Sequence, residues 1–187
     1  MEPHKRSKES WVRGASVLSL KNLALLAALL CGSGAFATEG SYKKVKGWSL
    51  YQNETNCSAY MMFENGEAMG FTYDAPGRST RVVFSDAQAK SLQDGDSSTI
   101  DILLRQPNGT VDHTLESTIF LVTVDKDGRR TLSSRWLGPP ALESFMKAAY
   151  AGFFDKERQI GVFNLKGTAA ALKEVKDCST KLRNIDP

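Results

Sequence analysis

Short apolar segments alternate with turn residues over most of residues 48–165. Within several of these segments, apolar and polar residues alternate with the period of two that is typical of a strand with one buried face. The pattern predicts strands at residues 48–51, 57–63, 68–73, 80–84, 99–104, 118–124, 130–136 and 159–165. So many short strands with turn signals between them favour a mostly antiparallel sheet or sandwich.

The dipeptide Asn65-Gly66 gives the clearest local prediction, because Asn-Gly between apolar segments favours a tight hairpin turn. A two-residue turn fixes which residues of the two strands face each other. The predicted pairs are Met62 with Met69 and Tyr60 with Phe71. We expect all four side chains to share one face of the sheet and to point into the core.

Helical periodicity appears in two places near the end of the chain. After a Pro-Pro pair, apolar residues recur at helical spacing from Leu142 to Phe153. A second helix is predicted to begin at Thr168 and to carry Cys178 on its apolar face. A capping box predicts a further short helix within residues 85–92. The predicted fold class is therefore α+β and β-rich, with two C-terminal helices packed on the sheet.

Residues 1–37 have the three parts of a cleavable export signal. A basic beginning precedes an unbroken apolar run at residues 23–30, and Ala35-Phe36-Ala37 matches a small-residue cleavage site. We expect a signal peptide at residues 1–37, a flexible lead at 38–47 and a single globular exported domain at 48–183. The mature protein would begin near Thr38, without a transmembrane segment, in the periplasm or outside the cell.

The cysteines support the export prediction. Cys31 falls within the predicted signal, and its lipidation is an open alternative, although Leu30 is larger than the residue that usually precedes a lipidated cysteine. Cys57 and Cys178 remain in the mature chain. We predict a disulfide between them because disulfides persist outside the cytosol; two free buried thiols are the alternative.

The charge balance of the predicted mature chain gives no support for a nucleic-acid partner. The whole chain has 24 basic and 21 acidic residues and a formal net charge of +3. Residues 1–37 contain five of the basic and two of the acidic residues, which leaves 19 of each sign. Nucleic-acid binding domains usually carry a clear excess of positive charge. We predict no nucleic-acid partner.

Few residues of the predicted mature domain suit catalysis or metal binding. Its one histidine, His113, lies in a polar stretch, and no G-x-S-x-G motif accompanies it. One histidine and two disulfide-bonded cysteines do not favour a transition-metal site. Residues 125–128 resemble the start of a calcium loop, but Trp136 stands where the loop needs an acid. Without a nucleotide-binding motif, we predict no metal, no cofactor and no catalytic residues.

Two acidic pairs define the enzymatic alternative. Glu64 and Glu67 flank the predicted Asn-Gly turn, and paired carboxylates can perform acid/base chemistry on sugars. A small envelope hydrolase would use these acids, a serine or His113. At a hairpin tip, however, both carboxylates are expected to be solvated. The same expectation holds for Asp94 and Asp96.

A basic cluster is the predicted partner-binding surface. It consists of Lys126, Arg129, Arg130 and Arg135. Strand alternation places part of this set on one exposed face, which is either simply solvated or binds an anionic partner. The partner would be an envelope protein or an anionic surface polymer.

The aromatic residues leave two further alternatives open. Those that could line a pocket are Trp48, Tyr51, Trp136, Phe153 and Phe154, although core packing is expected for most of them. An exposed apolar patch near Phe153 and Phe154 would instead favour an inhibitor or a chaperone-like partner of an envelope enzyme.

The two ends of the predicted domain resemble a known family. Gly47-Trp48-Ser49-Leu50-Tyr51 is soon followed by Cys57, and Leu165 to Leu172 reads L-x-G-x-x-x-A-L before Cys178. The arrangement resembles small exported alphaproteobacterial proteins of the invasion-associated locus B type. That resemblance implies a β-rich envelope or secreted protein linked to host or stress interactions, and it supplies no catalytic residues. Because the predicted mature chain has one histidine and lacks metal-ligand and nucleotide-binding motifs, we expect a non-enzymatic binding or accessory protein of the cell envelope.

Overall fold

The computed structural model describes residues 42–85, 89 and 91–183, without the side chains of residues 113, 114 and 116. The predicted signal peptide lies outside these residues. So do residues 86–88, the centre of the short helix predicted within residues 85–92. Ser85 itself ends a strand, and Leu92 follows a turn in which its N–H donates to the Ala89 carbonyl over 3.1 Å.

The described strands form one antiparallel sheet of ten strands. They are β1 (Lys43–Val45), β2 (Trp48–Gln52), β3 (Cys57–Met62), β4 (Ala68–Asp74), β5 (Ser79–Ser85), β6 (Ser97–Arg105), β7 (Val111–Val124), β8 (Arg130–Ser134), β9 (Tyr150–Asp155) and β10 (Arg158–Asn164). Their order in the sheet is β1-β2-β3-β4-β5-β8-β7-β6-β9-β10. Strand β1 lies within the segment predicted as a flexible lead, and β7 begins well before residue 118, so the backbone of His113 belongs to a strand.

The sheet curls around a single core. Phe84 of β5 and Phe153 of β9 have β8, β7 and β6 between them in the sheet, yet their ring centroids are 4.1 Å apart. Phe63, directly after β3, packs on Phe163 of β10 with centroids 5.2 Å apart. Distant strands can meet in this way only if the sheet bends over its apolar inner face. The β-rich α+β prediction is confirmed.

Two helices complete the inner layer. Helix α1 (Pro140–Lys147) packs on β5 and β7, and helix α2 (Thr168–Arg183) packs on β2, β3 and β4. The buried face of α2 carries Ala171, Leu172 and Val175, which join the same core as the inward side chains of the strands. The two predicted helices therefore exist and pack as expected on one side of the sheet.

The predicted extent of the first helix is wrong. It ends at Lys147, because Ala148 has extended backbone angles (φ −78°, ψ 145°) and the chain continues into β9. The N–H of Ala149 donates to the Arg105 carbonyl over 2.8 Å, at the start of the pairing between β9 and β6. The helical spacing that included Phe153 was coincidental, since strand pairing on both sides of β9 outweighs local periodicity.

The predicted register of the β3–β4 hairpin is also wrong, by one residue. The N–H of Phe63 donates to the Glu67 carbonyl over 2.8 Å, which makes a three-residue loop closed by Gly66 at φ 82°. Such a loop follows a tight turn with one extra left-handed residue, which glycine adopts without strain. The observed pairs are Met61 with Met69 and Tyr60 with Gly70. A shift of one residue exchanges the two faces, so Tyr60 points away from the core.

Cys57 and Cys178 lie at disulfide distance, with Cα atoms 6.0 Å apart and a sequence separation of 121. The pair joins β3 to α2, as predicted. Ser179, next to Cys178, strengthens this junction. Its hydroxyl accepts a hydrogen bond from the Cys57 N–H and donates one to the Tyr73 carbonyl, both over 3.0 Å.

Candidate binding face

The strands leave one face of the sheet without a covering helix among the described residues. Here it is called the outer face, and strand register defines its rows. One row joins Tyr51, Ser58, Thr72 and Arg81; a second joins Tyr60, Gly70, Val83, Ser133 and Leu121; a third joins Met62, Ala68, Ser85, Thr131 and Thr123. The inward row beside them, with Met69 and Phe84, belongs to the core. The outer face therefore carries tyrosines, arginines and hydroxyl groups.

Three buried polar atoms on the outer face have no hydrogen-bond partner in the part of the chain that the structure describes. They are the Tyr60 hydroxyl, Nε of Arg81 and Oγ of Ser85. Tyr60 is 6% exposed and Ser85 is 2% exposed. A buried polar atom without a partner costs roughly 1–3 kcal/mol, which a bound ligand can recover by supplying the missing hydrogen bond. The three atoms therefore point to a site that is completed by a partner.

Tyr60 owes its burial to the observed register. Opposite Gly70 there is no side chain to compete with its ring, and the ring packs against Ala68, Val83 and the half-buried Tyr51. Burial raises the pKa of the Tyr60 phenol above its ordinary value, and the nearby positive charge of Arg129 opposes this shift.

We expect Tyr60→Phe to reduce the loss of stability at alkaline pH. Because the folded pKa is raised, stability is intact below the unfolded pKa and falls above about pH 10, where the unfolded state releases the proton first. Urea unfolding at about pH 7 and about pH 11 measures the loss. Wild type and Tyr51→Phe should lose more stability than Tyr60→Phe. Equal losses in all three proteins would contradict the buried position of Tyr60.

A bulge brings Trp136 beside Arg81. Val83 pairs with Ser133 and Thr80 pairs with Leu137. Two residues of β5, 81 and 82, therefore lie opposite three residues, 134–136. The extra residue re-aims the local side chains. As a result the Arg81 guanidinium lies 4.5 Å from the centroid of the Trp136 ring. Burial lowers the pKa of Arg81, but a guanidinium remains charged at neutral pH.

The four predicted basic residues do not form one surface. Arg130 is tied to the fold, since its Nε donates to the Leu92 carbonyl over 2.7 Å and its side chain also donates to the Gly128 carbonyl. Lys126 is exposed at the tip of the β7–β8 hairpin. Arg129 precedes β8, two residues before the outward Thr131, and exposed Arg135 follows β8 beside Trp136. The structure therefore brings Arg129 and Arg135 to the two ends of β8.

The arginines of this area have no carboxylate partner among the described residues. The ion pairs among the described residues are Lys43–Glu174, Arg158–Asp155 and Lys173–Asp177, and all three are remote from β8. We call the outward residues around the two ends of β8 the arginine region: Tyr60, Arg81, Ser85, Arg129, Thr131, Arg135 and Trp136. It combines positive charges and buried hydroxyls that have no partner among the described residues with an aromatic ring, which suits an anionic ligand.

The acidic candidates serve as turn residues. Oδ1 of Asp125 accepts hydrogen bonds from the N–H groups of Asp127 and Arg129, both over 2.9 Å. Asp94 accepts one from the Val124 N–H and Asp96 accepts one from the Gln93 N–H, and both aspartates are exposed, as expected. These bonds stabilise the loops in the way typical of aspartate.

The glutamates of the enzymatic alternative lie on the β3–β4 loop. Glu64 is exposed and Glu67 is half-buried. The side chain of His113 is outside the described part. Within that part, no three His, Cys, Asp or Glu residues are grouped closely enough to hold a metal ion. No predicted catalytic pair is brought into a cleft by the described side chains.

The aromatic candidates divide between core and surface. Trp48 and Phe153 are fully buried, so Phe153 itself offers no exposed apolar surface. Phe154 is half-buried, and Tyr51 and Trp136 reach the outer face. Exposed apolar residues do occur on other strands, chiefly Val111, Ile119, Leu121, Tyr150 and Val162.

Sequence reasoning missed Tyr60, Arg81 and Ser85. Arg81 carried a usable signal, because a single charge within the apolar segment at residues 80–84 must point away from the core. Tyr60 and Ser85 carried none. Their burial depends on the hairpin register and on which side chains of neighbouring strands lie beside them on the outer face.

Comparison with protein-family profiles finds no matching family, and comparisons with curated proteins and with solved structures find no significant match. Neither described helix has the length and apolar character needed to span a bilayer. The case for function therefore rests on the residues of this chain.

Proposed function

We propose that this protein is a non-enzymatic binding or accessory protein of the cell envelope, and that its arginine region binds an anionic partner. One observation carries the proposal. Among the described residues, Tyr60, Arg81 and Ser85 hold buried polar atoms without partners, on the same face as arginines without a described ion pair. Enzymatic use of Glu64 and Glu67 finds no comparable support.

Export to the periplasm or the cell surface is part of the proposal. The signal-like residues 1–37 support it, as does the placement of Cys57 and Cys178 at disulfide distance. The resemblance to proteins of the invasion-associated locus B type agrees with such a location. The location of this protein stays a prediction.

The test is co-sedimentation of the mature chain, residues 38–187, with purified envelope fragments. We expect saturable binding that weakens with added salt, because charged contacts are screened. The double variant Arg81→Gln/Arg129→Gln should bind about tenfold more weakly or worse, since each arginine can supply a charge-assisted hydrogen bond.

Arg105→Gln is the matched control. Arg105 is exposed on the outer face of β6, where it pairs with Tyr150, and it is not part of the arginine region. This variant should bind like wild type. The proposal is wrong if wild type does not bind, or if Arg105→Gln loses as much binding as the double variant. Thermal unfolding of each variant verifies that it is folded.

A further inference from the structure

The arginine region has two cationic subsites, one at each end of β8. The first subsite contains Arg129, Ser85 and Thr131. Arg129 lies two residues before Thr131, just ahead of β8, and Thr131 pairs directly with Ser85. The side chains of Ser85 and Thr131 are buried. Each subsite has its own buried polar atom without a partner among the described residues, Oγ of Ser85 in the first and Nε of Arg81 in the second.

The second subsite contains Arg81, Trp136 and Arg135. Arg81 is stacked on Trp136, which is 42% exposed, and its Nε is buried without a partner. Thr131 and Arg135 are four residues apart on one strand and its extension. At a rise of about 3.3 Å per residue, the two subsites are separated by roughly 13 Å.

The surface between the subsites is uncharged. Gly70, Val83 and Ser133 form the register row that crosses it, and the Ser58 and Thr72 hydroxyls share a hydrogen bond of 2.9 Å beside it. A ligand that fills both subsites must therefore be extended. It must carry negative groups that are widely spaced and polar, uncharged groups between them.

An added peptide strand does not fit this surface. Extended peptides gain affinity by pairing their backbone with an exposed sheet edge. Strands β3, β4, β5 and β8 are internal, so both edges of each are already paired. Nucleic acid fits no better, because its phosphates follow one another at about 3.4 Å of rise per strand.

We propose that the arginine region binds an extended anionic polysaccharide, whose acid groups occupy the two subsites and whose intervening sugar lies across Val83 and Ser133. This inference rests on the proposed function and specifies its ligand class. The aromatic faces of Trp136 and Tyr51 suit the C–H faces of sugar rings, and the arginines suit carboxylate or sulfate groups.

The experiment measures binding of defined glycans through Trp136. After residue 37 the chain has two tryptophans, and Trp48 is fully buried while Trp136 is not, so acrylamide quenching reports chiefly on Trp136. The probes are hyaluronan, which has an acid on alternate sugars, its disaccharide and tetrasaccharide, neutral dextran, and polyglutamate.

We expect hyaluronan and its tetrasaccharide to protect Trp136 from quenching and to bind at least about tenfold more tightly than the disaccharide, which reaches only one subsite. Arg129→Gln should abolish the advantage of the tetrasaccharide, while Arg105→Gln should preserve it. Dextran should not bind.

Two results would overturn the inference. One is equal binding of disaccharide and tetrasaccharide, which removes the two-subsite arrangement. The other is a wild-type protein that binds envelope fragments but prefers polyglutamate to every glycan, which indicates an acidic protein as the partner. In that second case the proposed function stands, and only the ligand class fails. Failure of both experiments rejects both proposals.

Discussion

Reduction of the mature protein should lower its free energy of unfolding by roughly 5 kcal/mol. The physical reason is that the bond between Cys57 and Cys178 closes a loop of more than a hundred residues in the unfolded chain, and loss of that constraint increases the entropy of the unfolded state. Since domains of this kind are stable by about 5–15 kcal/mol, the reduced protein should be close to unfolding. Urea unfolding with and without dithiothreitol measures the change.

The variant Cys57→Ala/Cys178→Ala is the control for this prediction. It should unfold near the midpoint of the reduced wild type, and dithiothreitol should have no effect on it. An unchanged midpoint on reduction of the wild type would show that the two cysteines are not bonded. It would also remove one support for export, because protein recovered from an oxidising compartment should contain the bond.

Phe153→Ala should cost about 3–5 kcal/mol, because it opens a cavity where four aromatic rings meet. The Phe153 ring lies 4.1 Å from that of Phe84, 5.6 Å from that of Phe163 and 6.2 Å from that of Phe120, measured between centroids. These rings come from four strands, so the cavity lies where the curled sheet brings distant strands together over the core. The measurement is the urea midpoint of the folded variant.

Val162→Ala is the matched control, because it also shortens an apolar side chain in the β9–β10 hairpin. Val162 is 46% exposed on the outer face, and its truncation should change stability by no more than about 0.5 kcal/mol. If Phe153→Ala were equally mild, the rings could not form the centre of the core, and the curled sheet would be in doubt.

The two faces of the sheet have different roles. Inward side chains such as Phe71, Phe84 and Phe153 provide the apolar burial that stabilises the fold. On the outer face, Tyr60, Ser85 and Arg81 retain unpartnered polar atoms that contribute nothing to stability. A fold that tolerates this cost on one face is consistent with binding there.

Part of the fold follows from the sequence by itself. The period-two pattern and the turn residues predict most of the strands, since alternation decides which side chains can be buried together. The helical face with Ala171 and Val175 predicts α2. The two cysteines after residue 37 can pair with each other in only one way within the chain. These are local or combinatorial features, and they need no knowledge of the tertiary arrangement.

Tertiary structure alone decided the rest. Asn65-Gly66 permits either a two-residue or a three-residue loop, and the choice follows from which register turns Met61 and Met69, and not Tyr60, towards the core. In the same way, the pairing of β9 with β6 and β10 ended α1 at Lys147, although apolar residues at helical spacing continued to Phe153.

The candidate site depends both on the sequence and on the tertiary structure. The sequence supplied the arginines and the aromatic residues, but only the bulge before Leu137 brought Arg81 to Trp136. Only strand register set Thr131, two residues after Arg129, opposite Ser85. Residues far apart in the chain meet through hydrogen-bonded pairing, and a shift of one residue reverses every side chain of a strand. For that reason the sequence shows which charged and aromatic residues this protein has, but not where they lie together.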